Sequence, residues 1–281
     1  MKTISVFGLG WLGLPLAEKL STYFKIAGTT RSVDKKDQMS AIHPDWEIEI
    51  WDLNSPLKPD WPASDIVLIN IPPSKFEAYD YCKKILDLAK IMQSKRSDCL
   101  LLFISSTSVF GEDVGMVTEE SELSPESDSA HTLVLTEEKL VEEFRERLLL
   151  IRPSGLVGNS RYPGRFLAGR SNLPRPNASV NLIHLTDILN LLNEIILNPV
   201  KYWPLGKINL SSPGFASREE FYTLAAKLAG LDLPVFDKHD LRPGKTVTSE
   251  IFFEPTLFKY PSALEALPNW AADFKQSIQQ K

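Results

Sequence analysis

Apolar residues recur along this chain in two alternating rhythms. Short runs at 3–7, 25–29, 47–51, 65–71, 99–105 and 148–152 are apolar and often β-branched, and most are separated by stretches of helical periodicity. That alternation predicts an α/β fold, a Rossmann-type doubly wound parallel sheet. After the first run, Leu12, Leu16 and Leu20 share one helical face, and the helix after the fourth run lines up Tyr81, Ile85, Leu88, Ala89 and Met92. This second helix is expected to open at Ser74-Lys-Phe-Glu77, where hydroxyl and carboxylate can satisfy the first free amides reciprocally. Ser217-Arg-Glu-Glu220 repeats that pattern before a helix expected to end at Ala229.

Elsewhere the rhythm weakens. Residues 111–130 are acidic and small, and read as a surface loop ahead of a charged helix at 132–147. Between 160 and 180 arginine, proline and glycine accumulate, followed by a strand at 179–184, a helix from a Thr186 N-cap to Leu197 and a strand at 207–210. The last fifty residues carry Pro234, Pro243, Pro255, Pro261 and Pro268 and read as short elements of a small lobe. The expected organisation is a nucleotide-binding domain over 1–158, to which 179–198 return, and a smaller C-terminal substrate lobe made of 159–178 and 199–281.

Composition narrows the chemistry. With 281 residues, 43% of them hydrophobic, the chain can bury a substantial core. A net charge of −5 and the lack of a long basic run speak against nucleic acid or an anionic membrane and for a small-molecule substrate. Cys82 and Cys99 sit in apolar segments and read as reduced, buried thiols, so neither a disulfide nor a metal site is expected. The N-terminal pattern is unlike a signal peptide and no apolar run reaches about 18 residues. The expectation is a soluble, cytoplasmic protein.

The sharpest local signal is Gly8-Leu9-Gly10-Trp11-Leu12-Gly13, placed between a strand and a helix. In a dinucleotide-binding turn the first glycine allows the sharp exit, the second admits a pyrophosphate and the third lets helix and strand pack closely. Free amides at the helix start then face the phosphates. At the end of the second strand, where a carboxylate would accept the ribose hydroxyls of NAD, this chain has Arg31 and Ser32, which suit a 2′-phosphate. NADP is therefore favoured over NAD, an exposed solvated arginine being the plain alternative. Asp52 reads equally as an acceptor for the adenine amino group and as a turn residue in Asp-Leu-Asn-Ser-Pro. Ile71 and Pro72, at the carboxyl end of the fourth strand, are expected to lie against the cofactor and to give shape more than polar anchoring.

The fifth strand ends in Ile104-Ser-Ser-Thr-Ser-Val-Phe-Gly111, and here the chain resembles the NAD-dependent epimerase/dehydratase family, the extended branch of the short-chain dehydrogenase/reductase superfamily. That family carries Ser-Ser-x-x-Val-Tyr-Gly at this point. Ser106 matches the serine that hydrogen-bonds the substrate carbonyl or alcohol, and Ser105 falls with the cofactor-lining residues. Ile151-Arg-Pro-Ser-Gly-Leu-Val-Gly158, Asn181-Leu-Ile-His-Leu-Thr-Asp187 and Ile208-Asn-Leu-Ser-Ser resemble later segments of the family in the same order. The resemblance implies an NAD(P)-dependent oxidoreductase or epimerase, a C-terminal lobe closing the substrate pocket, and a homodimer.

One departure limits what the resemblance implies. The family's Tyr-x-x-x-Lys pair lies on the helix after the fifth strand, and between Ser129 and Arg147 this chain has no tyrosine. Aligning on Glu137 or Glu138 puts Ser129 or Ala130 in the tyrosine place and Leu133 or Val134 in the lysine place. This resembles an atypical subgroup, the YeeZ-like proteins. His131, with a side chain suited to proton exchange near neutrality, and Tyr162 are the candidate substitutes, against the plainer reading of a surface histidine beside a loop. His184 and Asp187 read as structural groups at a strand-to-helix passage. Arg161 and Arg165, within an arginine-rich stretch, could receive a phosphate or carboxylate of the substrate or simply form a solvated basic loop. A protein that binds NADP without turning it over, a sensor or regulator, is the rival reading.

Overall fold

The structure is a computed structural model that describes residues 1–73, 76–158 and 160–279. In chain order it begins β1 (Lys2–Phe7), α1 (Gly13–Leu20), β2 (Phe24–Thr30), α2 (Val33–Ile42), β3 (Glu47–Ile50), β4 (Ile66–Ile69), α3 (Ala78–Lys95) and β5 (Leu100–Ile104). Next come β6 (Gly115–Val117), α4 (Asp128–Phe144), β7 (Leu148–Pro153), β8 (Gly155–Val157), α5 (Gly164–Leu167), β9 (Leu182–His184) and α6 (Leu185–Leu197). The remainder is α7 (Pro199–Tyr202), β10 (Lys207–Leu210), α8 (Arg218–Ala229), β11 (Lys245–Val247) and α9 (Ala263–Gln279). Two compact units result: Met1–Val109, Pro125–Arg152 and Leu192–Ile208 form the first, and Phe110–Ser124, Pro153–Leu191 and Asn209–Lys281 the second. The boundaries expected at 158, 178 and 198 are a different division, drawn from motifs and not from packing.

The central sheet has seven strands in the order β10-β7-β5-β4-β1-β2-β3. β1 runs parallel to both β2 and β4, and β2–β3, β4–β5 and β5–β7 are parallel too. At the edge, the Leu150 and Ser154 amides donate to the Gly206 and Leu210 carbonyls, so β10 advances in the same direction. All four residues of β4 and all six of β7 are buried, as strands covered on both faces by helical layers must be. The order reverses at β1, where β2 lies on one side and β4 on the other. Right-handed crossovers then send α1 and α2 to one face and α3 and α4, which pack together, to the other.

Within this unit two helix starts differ from expectation. α3 begins at Ala78 after Glu77, with no side-chain cap, and the Phe76 amide donates to the Pro73 carbonyl. The Ser74 and Lys75 of the expected capping box lie outside the described residues. α4 begins at Asp128, because the Ser127 hydroxyl accepts from the Ala130 amide at 3.2 Å and starts the helix ahead of the expected 132.

The second unit is built from short parallel pairs and helices. The presumed loop 111–130 contains β6, which pairs in register with β11 across Gly115↔Lys245 to Val117↔Val247. The expected strand at 179–184 shortens to β9 and pairs with β8, outside the central sheet. α8 starts as foreseen, the Ser217 hydroxyl accepting from the Glu220 amide at 3.2 Å. The C-terminal stretch corrects the expectation of short elements, since α9 runs for 17 residues through Pro268. Proline weakens a helix interior by removing one hydrogen bond. Here Ala266, Leu267, Trp270, Ala271 and Phe274 are buried along one side, and that packing outweighs the loss. Among the described residues no helix is long and apolar enough to cross a membrane.

Candidate dinucleotide site and the groups around it

The turn after β1 separates its glycines by function. Gly8 has φ +108°, a region that favours glycine, and a Cβ there would stand 2.5 Å from the Asn70 carbonyl oxygen. Gly13 is equally confined, because a Cβ would run into the Gly8 carbonyl oxygen. Gly10 is exposed, and no heavy atom lies within 4 Å of where its Cβ would be. The backbone there is open to a large ligand. Among the described residues the amides of Leu12 and Gly13 have no backbone acceptor, which is the condition of a helix start. Trp11 is partly buried beside them. Leu9 plays another part: its amide donates to the Thr29 carbonyl at 2.7 Å and its buried side chain fills the space over Gly28. It is a packing residue of the turn and not a phosphate donor.

Beyond β2, Arg31 is exposed and Ser32 caps α2, its hydroxyl accepting from the Lys35 amide at 3.3 Å. The serine was expected as a phosphate ligand; its oxygen is engaged in the cap, though its proton is not. Asp52 makes the turn that its sequence allowed. It is exposed, and its Oδ1 accepts from the Asn54 amide at 2.7 Å, an Asx-turn that leads Leu53 into the core. Past β4, Ile71 is half-buried and Pro72 exposed, and the Tyr81 hydroxyl donates to the Ile71 carbonyl at 2.6 Å. Burial pushes the Tyr81 phenol well above its ordinary range, so it serves as a fixed strut.

At the end of β5 two adjacent serines do different things. Ser105 is buried and its hydroxyl donates to Glu137 Oε1 in a short hydrogen bond. Arg152 completes the group: its Nε lies 3.2 Å from both Glu137 oxygens and one terminal nitrogen 2.6 Å from Oε2. Ser105 was expected among the cofactor contacts; its hydroxyl instead ties β5 to α4. Ser106 is half-buried, and its oxygen accepts from the Ser108 amide at 3.1 Å, which leaves its proton available. α4 packs against the 3-10 turn Thr107–Val109 that follows. His131 stands exposed on the first turn of α4.

In the second unit Tyr162 is 2% exposed, stacks on Phe274 at 4.7 Å and donates its hydroxyl to the Ala225 carbonyl at 2.7 Å. Burial pushes its phenol up to about 12. With its proton committed and its ring in the core, Tyr162 does not serve as a proton exchanger. Arg161 and Arg165 are exposed, and the Arg165 guanidinium lies 5.9 Å from the Phe274 ring. His184 is buried between Tyr260 and Trp270, stacked on the latter at 5.0 Å, and its Nδ1 accepts from the Thr186 amide at 3.2 Å. Desolvation, aided by the Lys259 charge, lowers its pKa to about 4, so it is neutral in the fold. Asp187 Oδ1 accepts from the Lys259 amide at 2.7 Å, and desolvation raises its carboxyl despite that bond. Both are structural, Asp187 holding the backbone at 259.

Sequence reasoning passed over Glu137 and Arg152 as a pair. The signal was present: Glu137 falls on the buried face of α4 shared by Leu133, Thr136, Leu140 and Phe144, and Arg152 interrupts the apolar run of β7. A charge inside each of two apolar stripes implies a partner. Glu119, buried at 3% exposure, was also missed. It accepts from the Asn209 amide at 2.8 Å, the Ser249 hydroxyl at 2.5 Å and the Glu250 amide at 2.9 Å. Nothing in its acidic surroundings marked it out.

Comparison with known proteins agrees with this architecture. No family model matches the chain. Protein YeeZ of Escherichia coli K12 is 30% identical, the alignment covering 94% of this chain and 98% of that protein. Among solved structures, the UDP-Glc/GlcNAc 4-epimerase of Campylobacter jejuni superposes with a TM-score of 0.76 at 14% identity, over all of both chains. The UDP-glucuronic acid 4-epimerase of Bacillus cereus, in complex with NAD, gives 0.71 at 17% identity over 98% of this chain and 99% of the other. The chain belongs to the YeeZ family and has the fold of the NAD-dependent epimerases and dehydratases of the extended short-chain dehydrogenase/reductase superfamily.

Proposed function

We propose that the chain binds NADP at the turn from Gly8 to Gly13 and acts as an epimerase/dehydratase-like oxidoreductase on a small polar or anionic substrate. The observation that carries the reading is the open backbone at Gly10 between two crowded glycines, with the amides of Leu12 and Gly13 at the start of α1 to meet phosphate oxygens. Arg31 favours NADP over NAD. It is exposed and has no side-chain partner among the described residues, so its guanidinium is available to a ribose 2′-phosphate beside the N-terminus of α2. The two epimerases with the same fold are described by their UDP-sugar substrates, which makes anionic sugar nucleotides the first class to screen.

When bound, the nicotinamide supplies a hydride acceptor or donor. The chain's own part is to fix the substrate oxygen and move its proton. Ser106 would hold that oxygen with its free hydroxyl proton, and His131 would exchange the proton in place of the absent tyrosine. NADPH and NADH are titrated into the pure protein, followed by carbonyl compounds and sugar nucleotides while nicotinamide absorbance is read. NADPH is expected to bind more tightly than NADH, Gly10→Val to abolish both, and Arg31→Ala to weaken NADPH by roughly tenfold with NADH unchanged. Ser106→Ala and His131→Ala are expected to bind NADPH normally and lose turnover. Undiminished binding in Gly10→Val overturns the cofactor site. Binding without turnover of any substrate overturns the enzyme and favours an NADP-binding sensor, which Leu133 or Val134 in the lysine place would suit.

A further inference from the structure

The second unit contains a cavity of about 340 Å³ that the dinucleotide reading does not use. Its wall is formed by Leu191 of α6, by Asn209 and the residues following it in β10, and by the segment 249–253 with Phe258. Phe253 and Asn209 are buried, at 9% and 1% exposure, while Phe252 is 71% exposed and stands at the mouth. Aromatic faces therefore line both the interior and the entrance.

Glu119 holds this wall in place: it accepts from the Asn209 and Glu250 backbone amides and from the Ser249 hydroxyl, and so clamps the segment at 249–250 to β10.

Charge decides the ligand class. Among the described residues Glu250 is the charged residue of the lining, and no lysine or arginine is part of it. A phosphate or carboxylate would enter with no cation to meet it, whereas an ammonium finds a carboxylate and aromatic side chains. The volume falls at the lower end of the range for small-molecule pockets, about 300–1,000 Å³, and suits one or two rings. We propose that this cavity binds a small aromatic amine, its ring among Phe252, Phe253 and Phe258 and its ammonium turned to the Glu250 carboxylate. The site is separate in chemistry from one for anionic nucleotides and does not depend on it.

Binding is measured by ligand-observed NMR and calorimetry on the full chain without dinucleotide, using 2-phenylethylamine and, as its charge-reversed counterpart, phenylacetate. The amine is expected to bind with a dissociation constant on the order of 1 mM, as a fragment of this size does, and phenylacetate not to bind. Both Phe252 and Glu250 are exposed, so Phe252→Ala and Glu250→Gln should leave the fold intact while each weakens the amine by roughly fivefold. Equal binding of the two probes, failure of the amine to bind at about ten times the expected constant, or an affinity untouched by both substitutions overturns the proposal.

Discussion

Each unit of this protein buries an ionisable side chain deep in its packing, and the two solve the problem differently. In the first, Glu137 is 2% exposed and is met by the Arg152 guanidinium and the Ser105 hydroxyl, so the charge is countered where it lies. In the second, His184 is 7% exposed between Tyr260 and Trp270, and burial lowers its pKa until it is neutral. Partner supply explains the difference. α4, β5 and β7 converge where the carboxylate sits and bring a cation and a donor to it. The aromatic cluster of the second unit brings rings, and the nearby Lys259 only disfavours protonation further. A countered charge fixes the mutual placement of three elements, while a discharged base tolerates an apolar site at the expense of acid sensitivity.

The comparison is broken most severely at Arg152. Arg152→Met should destabilise the chain by about 3–5 kcal/mol, because it leaves a buried carboxylate uncompensated. Glu137→Leu together with Arg152→Met should recover most of that loss, measured by urea unfolding; a double variant as unstable as the single one would refute the pairing argument. The second effect belongs to His184. Its ordinary pKa is about 6.5, so as pH falls below that value the unfolded chain takes up a proton that the folded chain refuses. Stability conferred by the neutral histidine is therefore complete above about 6.5 and declines until the folded group itself titrates near 4. Melting temperatures recorded between those pH values should fall more gently in His184→Phe than in the parent, and parallel curves would assign the acid limb elsewhere. The smallest effect is expected at Tyr162. Tyr162→Phe should lower stability by about 1 kcal/mol by removing the buried hydroxyl's bond to the Ala225 carbonyl, with no effect on NADPH binding.

The alternation of apolar strands and periodic helices made the first unit legible: all six expected strands exist there, and β10 closes the edge where 207–210 was read. The glycine turn was legible for a related reason, since spacing alone separates a crowded glycine from an approachable one once a strand and a helix flank it. Local patterns said less about the second unit. β6 is three residues long and owes its existence to β11, a partner far along the chain, so no period could announce it. α9 was hidden by Pro268, a local breaker overruled by the burial of Trp270 and Phe274. At the site, Asp52 and Ser105 had the right residue types at plausible places. Asp52 places one oxygen in an Asx-turn that its local sequence already allowed, whereas the Ser105 hydroxyl is taken by Glu137, a partner 32 residues away that only tertiary structure sets.

The pairing of β6 with β11 also carries a consequence for biosynthesis. Val117 and the Thr248 hydroxyl that donates to its carbonyl are 131 residues apart. A chain emerging from the ribosome displays β6 long before β11 exists, and at about 5–20 residues per second that interval lasts on the order of ten seconds. Throughout it, β6 exposes unpaired backbone that neighbouring nascent chains can capture. The acidic residues around it, Glu112, Asp113, Glu119 and Glu120, supply mutual repulsion during that wait.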